Sequence, residues 1–312
     1  MAPSTIVTRY VMSVVVKKRP FVIRAIRPEE VHQAYEIRLR TNYIFSKSSI
    51  ETAWKLSPEH FLVAVTENDV VIGSASWCKF GQGLFLLDQL TVRHEHRGLG
   101  VGKEILSAVL EVVKENFLLR LPVRLEEQFV KEMPLFPYRC PVPFVGTWPT
   151  ILTEASFVDV NLINVRLIDL YDEIINEVIK YDEDVLRCNR DALVQHLLHL
   201  PGGQCKIAVR ERKGVESVIG YGVIQEMSNG SGDVSVLLAN GRNVAAILLR
   251  ALVAKFPLAV TAGVMVTSPA LPDANRSFAQ QMGFKMRQSY VCRFSKREHP
   301  FDLVRIYSLG GV

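Results

Sequence analysis

The chain has 312 residues, 48% of them apolar and 22% charged, with a net charge of +5. That length suits two domains of about 150 residues, each able to bury its own core, and the composition excludes a disordered or low-complexity protein. The positive charge is scattered, with short runs only at Lys17-Lys18-Arg19, Arg210 to Lys213 and Lys296-Arg297, so neither a nucleic-acid nor a membrane partner is expected.

In chain order, the opening MAPSTIVTRYVMSVVVKKRP has an apolar stretch broken by Thr8, Arg9 and Ser13. It is too short to span a bilayer and poorly patterned for a signal peptide, so a cytoplasmic protein is expected. An extended FVIRAIR precedes helical stretches around Glu29–Leu39 and Ser49–Leu56. HFLVAVTENDVVIGSASW (60–77) then reads as two strands joined by a polar turn. A strand over Leu84–Val92 leads to a helix over Gly102–Phe117, in which Ile105, Leu106, Val109, Val112 and Val113 share one face. Residues 119–157 hold six prolines, which predicts an irregular segment and a domain boundary near 155.

The same order of elements then recurs. NVRLID is followed by helical stretches around Tyr171–Tyr181 and Arg190–Leu200, the hairpin CKIAVRERKGVESVIGYGVI, a strand over Val234–Leu238 and a helix over Val244–Phe256. Ala64-Val65 matches Ala208-Val209, and Ile72-Gly73 matches Ile219-Gly220, about 145 positions on. Each half is therefore an α/β unit, giving expected domains at 1–155 and 156–312. The five cysteines form an odd, widely spaced set without a Cys-x-x-Cys pair, which reads as buried thiols in a reducing compartment and not as a zinc site.

The junction RGLGVGK (97–103) raises the chemical question, because three glycines stand where a strand hands over to a helix. A P-loop fails, since Arg97 stands where its first glycine belongs and Glu104 follows Lys103. A dinucleotide fingerprint fails at Lys103 in one register and Ile105 in the other. What remains is a loop whose backbone N–H groups are free to face a pyrophosphate at the positive end of a helix, with Arg97 adding charge. A tight turn alone needs only one glycine.

LDQLTVRHEHRGLGVGKEIL resembles the cofactor motif of the GNAT superfamily of acetyl-coenzyme A-dependent N-acetyltransferases: Arg or Gln, two residues, Gly, one residue, then Gly or Ala. Arg97, Gly100 and Gly102 stand at those places. The second half resembles the atypical C-terminal domain of tandem GNAT proteins, on YDEDVLRCNR (181–190), VIGYGVIQ (218–225), LLANGRNVAAILLRAL (237–252) and NRSFAQQMGF (275–284). The resemblance implies a tandem GNAT fold with mixed α/β sheets, acetyl-coenzyme A as co-substrate and no metal. It also implies a pantetheine held by the backbone of Leu90, Thr91 and Val92, and phosphates held by Arg97, Gly98, Leu99, Gly100, Val101, Gly102 and Lys103. The second half has NGRNVAA at the equivalent place, where Val244, Ala245 and Ala246 are expected to deny a cofactor its clearance.

Direct attack of an amine on a thioester needs a base and an acid. Alternation along LFLLDQLTV sets Asp88 on a face with Leu84, Leu86, Leu90 and Val92, where a carboxylate has a raised pKa suited to a base; a structural Asp paired with an arginine is the alternative. The family's catalytic tyrosine lies in an Asn, Tyr, Gly-Phe pattern that the first half lacks, which leaves Tyr138 as the candidate acid. His94 and His96 read as exposed loop residues, and His196 and His199 have no partners at metal-ligand spacing. Trp77, Phe136, Tyr138 and Trp148 read as an acceptor wall or as core. Asp182 and Arg190, with Tyr181 and Asp184, read as acceptor-facing groups or as helix-surface charge. The expected activity is acetylation of a primary amine on a small molecule in a ternary complex. An acyl-coenzyme A sensor or scaffold and a protein lysine acetyltransferase are the alternatives.

Overall fold

The computed structural model describes residues 20–41, 45–46, 50, 54, 57–153, 156–157, 162–271 and 275–310. They gather into two compact units: Met1–Tyr43, Ser48–Cys78 and Leu86–Lys114 form the first, and Ile44–Lys47, Lys79–Phe85 and Glu115–Val312 form the second. No helix among the described residues is long and apolar enough to cross a membrane.

In the first unit β1 (Phe21–Ala25) pairs antiparallel with β2 (Phe61–Thr66), and β2 pairs with β3 (Val71–Gly81), which continues into β4 (Leu84–Val92). The period of two along β2 serves both faces. Phe61, Val63 and Val65 join Ala34 and Ile37 of α1 (Val31–Leu39) in one core. On the other side α2 (Val101–Val112) buries Val101, Ile105, Leu106 and Val109. It seats over Gly73, where a Cβ would meet Ile105 Cδ1 at 2.9 Å and Val101 Cγ1 at 3.2 Å. Of the helical stretch expected at Ser49–Leu56, Ile50 and Trp54 are helical and the rest lies outside the described residues.

The second unit holds two ladders. In one, β5 (Asn116–Pro122) pairs with β14 (Met286–Phe294), which pairs with β7 (Phe144–Thr147) and β6 (Tyr138–Arg139); β7 pairs in turn with β13 (Thr267–Pro269). In the other, β8 (Val165–Ile168), β9 (Gln204–Arg212), β10 (Val215–Glu226) and β11 (Gly232–Ala239) follow one another antiparallel. Parallel β12 (Val264–Met265) and antiparallel β15 (Ile306–Leu309) complete it against β11. Helices α4 (Asp172–Leu186) and α5 (Asp191–Leu198) precede β9, and α6 (Arg242–Lys255) buries seven residues in the larger core. The repeated glycine plays the same part in each unit, for a Cβ on Gly220 would meet Leu248 Cδ1 of α6 at 3.0 Å, as one on Gly73 would meet α2.

Two expectations need correction. The helix expected to reach Phe117 stops at Val112, since Val113 is already extended (φ −91°, ψ 101°) and Phe117 belongs to β5. Phe117, Leu118, Leu119 and Leu121 are all buried, a run apolar on both faces that suits a strand and not one stripe of a helix. Residues 119–157 are also more regular than six prolines suggest. Pro122 precedes α3 (Val123–Glu132), and the other five fall between elements, where a missing N–H costs no ladder bond. Ladders run across position 155, because β14 and β13 pair with strands that precede it.

Candidate active site

Between β4 and α2 the chain spends eight residues, 93–100. The backbone N–H of Arg93 donates to Ile72 O (2.8 Å) and its Nε to Val71 O (2.6 Å), which pins the loop's entry to β3. His94–His96 form a single 3-10 turn, and Arg97 Nε then donates back to Val92 O at 3.0 Å. Gly98 and Gly100 carry φ of +78° and +81°. Side chains are strained there, so two of the three glycines are required by the turn itself.

Gly102 is different. It is helical, and a Cβ on it would make one ordinary contact, with Val92 Cγ2 at 3.5 Å. Neither conformation nor packing requires glycine there. The first intrahelical bond runs from Glu104 N–H to Gly100 O, and Gly100 as N-cap offers no side chain, so Val101, Gly102 and Lys103 keep unclaimed N–H groups. These N–H groups at the positive end of a 12-residue helix, beside exposed Arg97 and Lys103, suit a multiply charged anion. Leu99 is exposed and Val101 is buried against Gly73, so Val101 contributes its backbone alone. A recess of about 550 Å³ opens beside the loop, walled by Phe21, Ile72, Leu99 and Val101 and edged by His96 and Lys103.

On β4, Leu90 and Val92 are half-buried and Thr91 is buried. Asp88 lies on this strand, and its side chain falls outside the described residues. Next to it is a feature that hydropathy did not reveal. Gln89 Oε1 accepts from Arg38 Nη1 at 3.0 Å, and because a guanidinium only donates, this fixes the amide. Its Nε2 is then sealed and without a partner among the described residues, as is Ser74 Oγ on β3.

The acceptor candidates divide between the two units. Trp77 is 1% exposed in the first unit and stacks on His60 at 5.4 Å, with Nε1 buried and unpartnered among the described residues. In the second unit Phe136 is core beside Phe117 and Phe129, whereas Trp148 is exposed beneath Arg287 at 4.9 Å. Tyr138 is 44% exposed on β6, beside Arg139, which Glu126 holds at 2.8 Å. His94 is exposed, His199 Nδ1 lies 2.8 Å from Gln195 O, and no metal-holding group of His, Cys, Asp or Glu occurs among the described residues. All five cysteines are free; four are buried and Cys205 is half-buried.

Asp182 and Arg190 are neither surface charge nor open to a ligand. Arg190 Nε and Nη2 donate to Asp182 Oδ1 and Oδ2 at 2.6 and 2.7 Å, with both side chains 1% exposed. Tyr221 OH donates to Asp182 Oδ2, and the Arg190 guanidinium lies 5.2 Å from the Phe80 ring centroid. Burial alone would lower the pKa of Arg190, yet the Asp182 charge holds it above its ordinary value. The pair satisfies itself, and Asp182 lies on the buried face of α4 with Val178 and Val185.

The second strand-to-helix junction is two residues long. Asn240 N–H donates to Ile219 O and its Oδ1 accepts from Tyr181 OH (3.0 Å), and Gly241 is the N-cap of α6. Val244, Ala245 and Ala246 were expected to crowd a ligand, but all three point into the core. The cofactor loop is missing there because no chain is left to form it.

Residues 25–128 match the model of the acetyltransferase (GNAT) family. No curated protein matches the sequence. Among solved structures, a candidate acetyltransferase from Pyrococcus horikoshii shares 13% identity, with 96% of this chain and 98% of that one covered, at a TM-score of 0.69. A tandem GNAT protein from the clavulanic acid biosynthesis pathway, solved without acetyl-coenzyme A, shares 14% over 88% of this chain and 97% of its own (TM-score 0.62). A GCN5-related N-acetyltransferase from Sphaerobacter thermophilus shares 13% over 94% and 98% (TM-score 0.55). The glycine loop and these shared folds agree: residues 25–128 match the GNAT acetyltransferase family, and the chain has the fold of tandem GNAT proteins.

Proposed function

We propose that this protein transfers an acetyl group from acetyl-coenzyme A to the primary amine of a small molecule, by direct attack in a ternary complex. The observation that carries the reading is Gly102, a glycine that neither the turn nor the packing requires, at the uncapped N-terminus of α2. Clearance for a ligand accounts for it. The N–H groups of residues 101–103, with Arg97 and Lys103, would hold the pyrophosphate, and the β4 backbone at Leu90 to Val92 would hold the pantetheine. The bound thioester supplies the activated acyl carbon. Asp88 takes the ammonium proton, the amine nitrogen bonds to that carbon as the C–S bond breaks, and Tyr138 protonates the departing sulfur and regains its proton from the second N–H that the nitrogen loses on becoming an amide. Within this reading residues 1–155 are the catalytic domain, and 156–312 a GNAT-like domain without a cofactor loop.

Thiol release from acetyl-coenzyme A across amines, amino sugars, amino acids and peptides tests the proposal. Turnover with a small amine, reduced at least 100-fold by Asp88→Ala with coenzyme A affinity unchanged, is expected. Unchanged turnover in that variant removes Asp88 from the base role. The exposure of Tyr138 on a two-residue strand favours a second reading, an acyl-coenzyme A-binding scaffold, whose mark would be coenzyme A binding without thiol release.

A further inference from the structure

Asp233 is the least explained charge in the second unit. It sits on β11 and is 4% exposed, yet no cation lies within ion-pair distance of it among the described residues. Its Oδ2 accepts from Ser235 Oγ at 3.1 Å. Ser235 Oγ accepts from Gln225 Nε2 at 2.6 Å, and Gln225 Oε1 accepts from Ser46 Oγ at 2.7 Å. All three supporting side chains are buried. With the carboxylate ionised, every donor in this chain points toward Asp233.

The backbone has been fitted around the same group. A Cβ on Gly310 would stand 2.5 Å from Asp233 Oδ2, so that oxygen is enclosed by Gly310 and Ser235. Oδ1 takes no hydrogen bond from the described residues and is not among their sealed, unpartnered atoms. Oδ1 is thus the carboxylate oxygen that lacks a donor among the described residues. Arg120 on β5 is the charged group whose field reaches Asp233, but its guanidinium lies over the Phe144 ring at 5.7 Å and forms no ion pair with the carboxylate. One hydroxyl and a distant charge do not offset the desolvation of an anion, and uncompensated charges of this kind concentrate at functional sites.

We propose that Asp233 is the anionic floor of a ligand site in the second unit that takes a small protonated amine, its N–H groups donating to Oδ1 while Ser235 holds Oδ2. An ammonium fits better than a divalent metal, which needs six or more oxygen ligands where this site has one carboxylate and one hydroxyl. The inference rests on the proposed acetyl transfer only in identifying the bound amine as the acceptor.

The test uses the full chain and measures binding apart from turnover. 2-Phenylethylamine, glucosamine and putrescine are titrated by saturation-transfer NMR, first alone and then with coenzyme A present. At least one should bind, and Asp233→Asn, which keeps an oxygen for Ser235 but removes the charge, should weaken it at least tenfold while coenzyme A affinity and folding stay intact. Affinity should also fall as pH drops through about 6, since burial raises the Asp233 carboxyl to that value against the opposing pull of Ser235 and Arg120. Equal binding by Asp233→Asn, or no binding of any of the three to the wild-type chain, overturns the site. Acetyl transfer that persists in Asp233→Asn with unchanged amine affinity rejects the site and leaves the activity standing. Amine held through Asp233 without thiol release supports the site and rejects the activity.

Discussion

The two strand-to-helix junctions share one way of packing and differ in length and conformation. Residues 93–100 form an exposed eight-residue loop with two left-handed glycines and a helix end left uncapped, whereas Asn240 and Gly241 close the second junction in two residues and tie it to Tyr181. The glycine beneath each helix, Gly73 and Gly220, is the same in both. The packing is therefore alike while the loops differ, which ties the proposed phosphate site to length at the junction more than to the bulk of the residues after it.

The strongest way to break this contrast is to attack the packed half. Asp182→Ala leaves the Arg190 guanidinium buried and unpaired, and should cost about 3–5 kcal/mol of stability in denaturant unfolding. Coenzyme A affinity of the remaining folded protein should be unchanged. A loss under about 1 kcal/mol would mean that water reaches the pair and that the second half is looser than its packing suggests.

Asp233 offers a gentler test of the same half. Its folded pKa, about 6, lies above the 3.8 of an unperturbed carboxyl, so the native state binds the extra proton between these values. Stability should be greatest below pH 4 as far as this group is concerned and fall as pH rises through 6, by roughly 3 kcal/mol in all. Comparing wild type with Asp233→Asn isolates the slope, and parallel pH profiles would reject it.

The smallest effect on folding, and the sharpest on the first junction, comes from comparing two glycines. Gly100→Val should both destabilise, by about 1–3 kcal/mol for a forced left-handed residue, and abolish tight coenzyme A binding. Gly102→Val should lower coenzyme A affinity at least tenfold while the melting temperature moves little, since the helix has room for it. Should Gly102→Val bind coenzyme A as well as wild type, the glycine has no ligand to make way for.

The loop was legible because its signal is local: an apolar strand, an Arg, glycines at fixed offsets and an amphipathic helix lie within twenty residues. The hairpins were legible for the same reason, and their repetition made each more certain. Strand β14 was not, because its partners β5 and β7 lie far away in sequence and hydropathy carries no register between distant strands. Helix α3 was hidden by prolines that in fact punctuate it. Asp182 and Arg190 looked like surface charge because composition cannot tell a solvated carboxylate from one enclosed with its counter-ion. Asp233, by contrast, left a trace, since GDVSV alternates polar and apolar residues inside an otherwise apolar strand.

The pairing of β5 with β14 also bears on biosynthesis. Phe117 N–H receives its partner, Ser295 Oγ, from 178 positions further along the chain. During translation β5 thus leaves the ribosome long before the strand that covers its edge, and an apolar edge waiting that long is a template for pairing with other nascent chains. Closing so large a loop also makes this ladder a late, slow event relative to the hairpins. Chaperone dependence would then arise from the order in which the ribosome delivers the strands, and a fragment ended at residue 155 would inherit that open edge permanently.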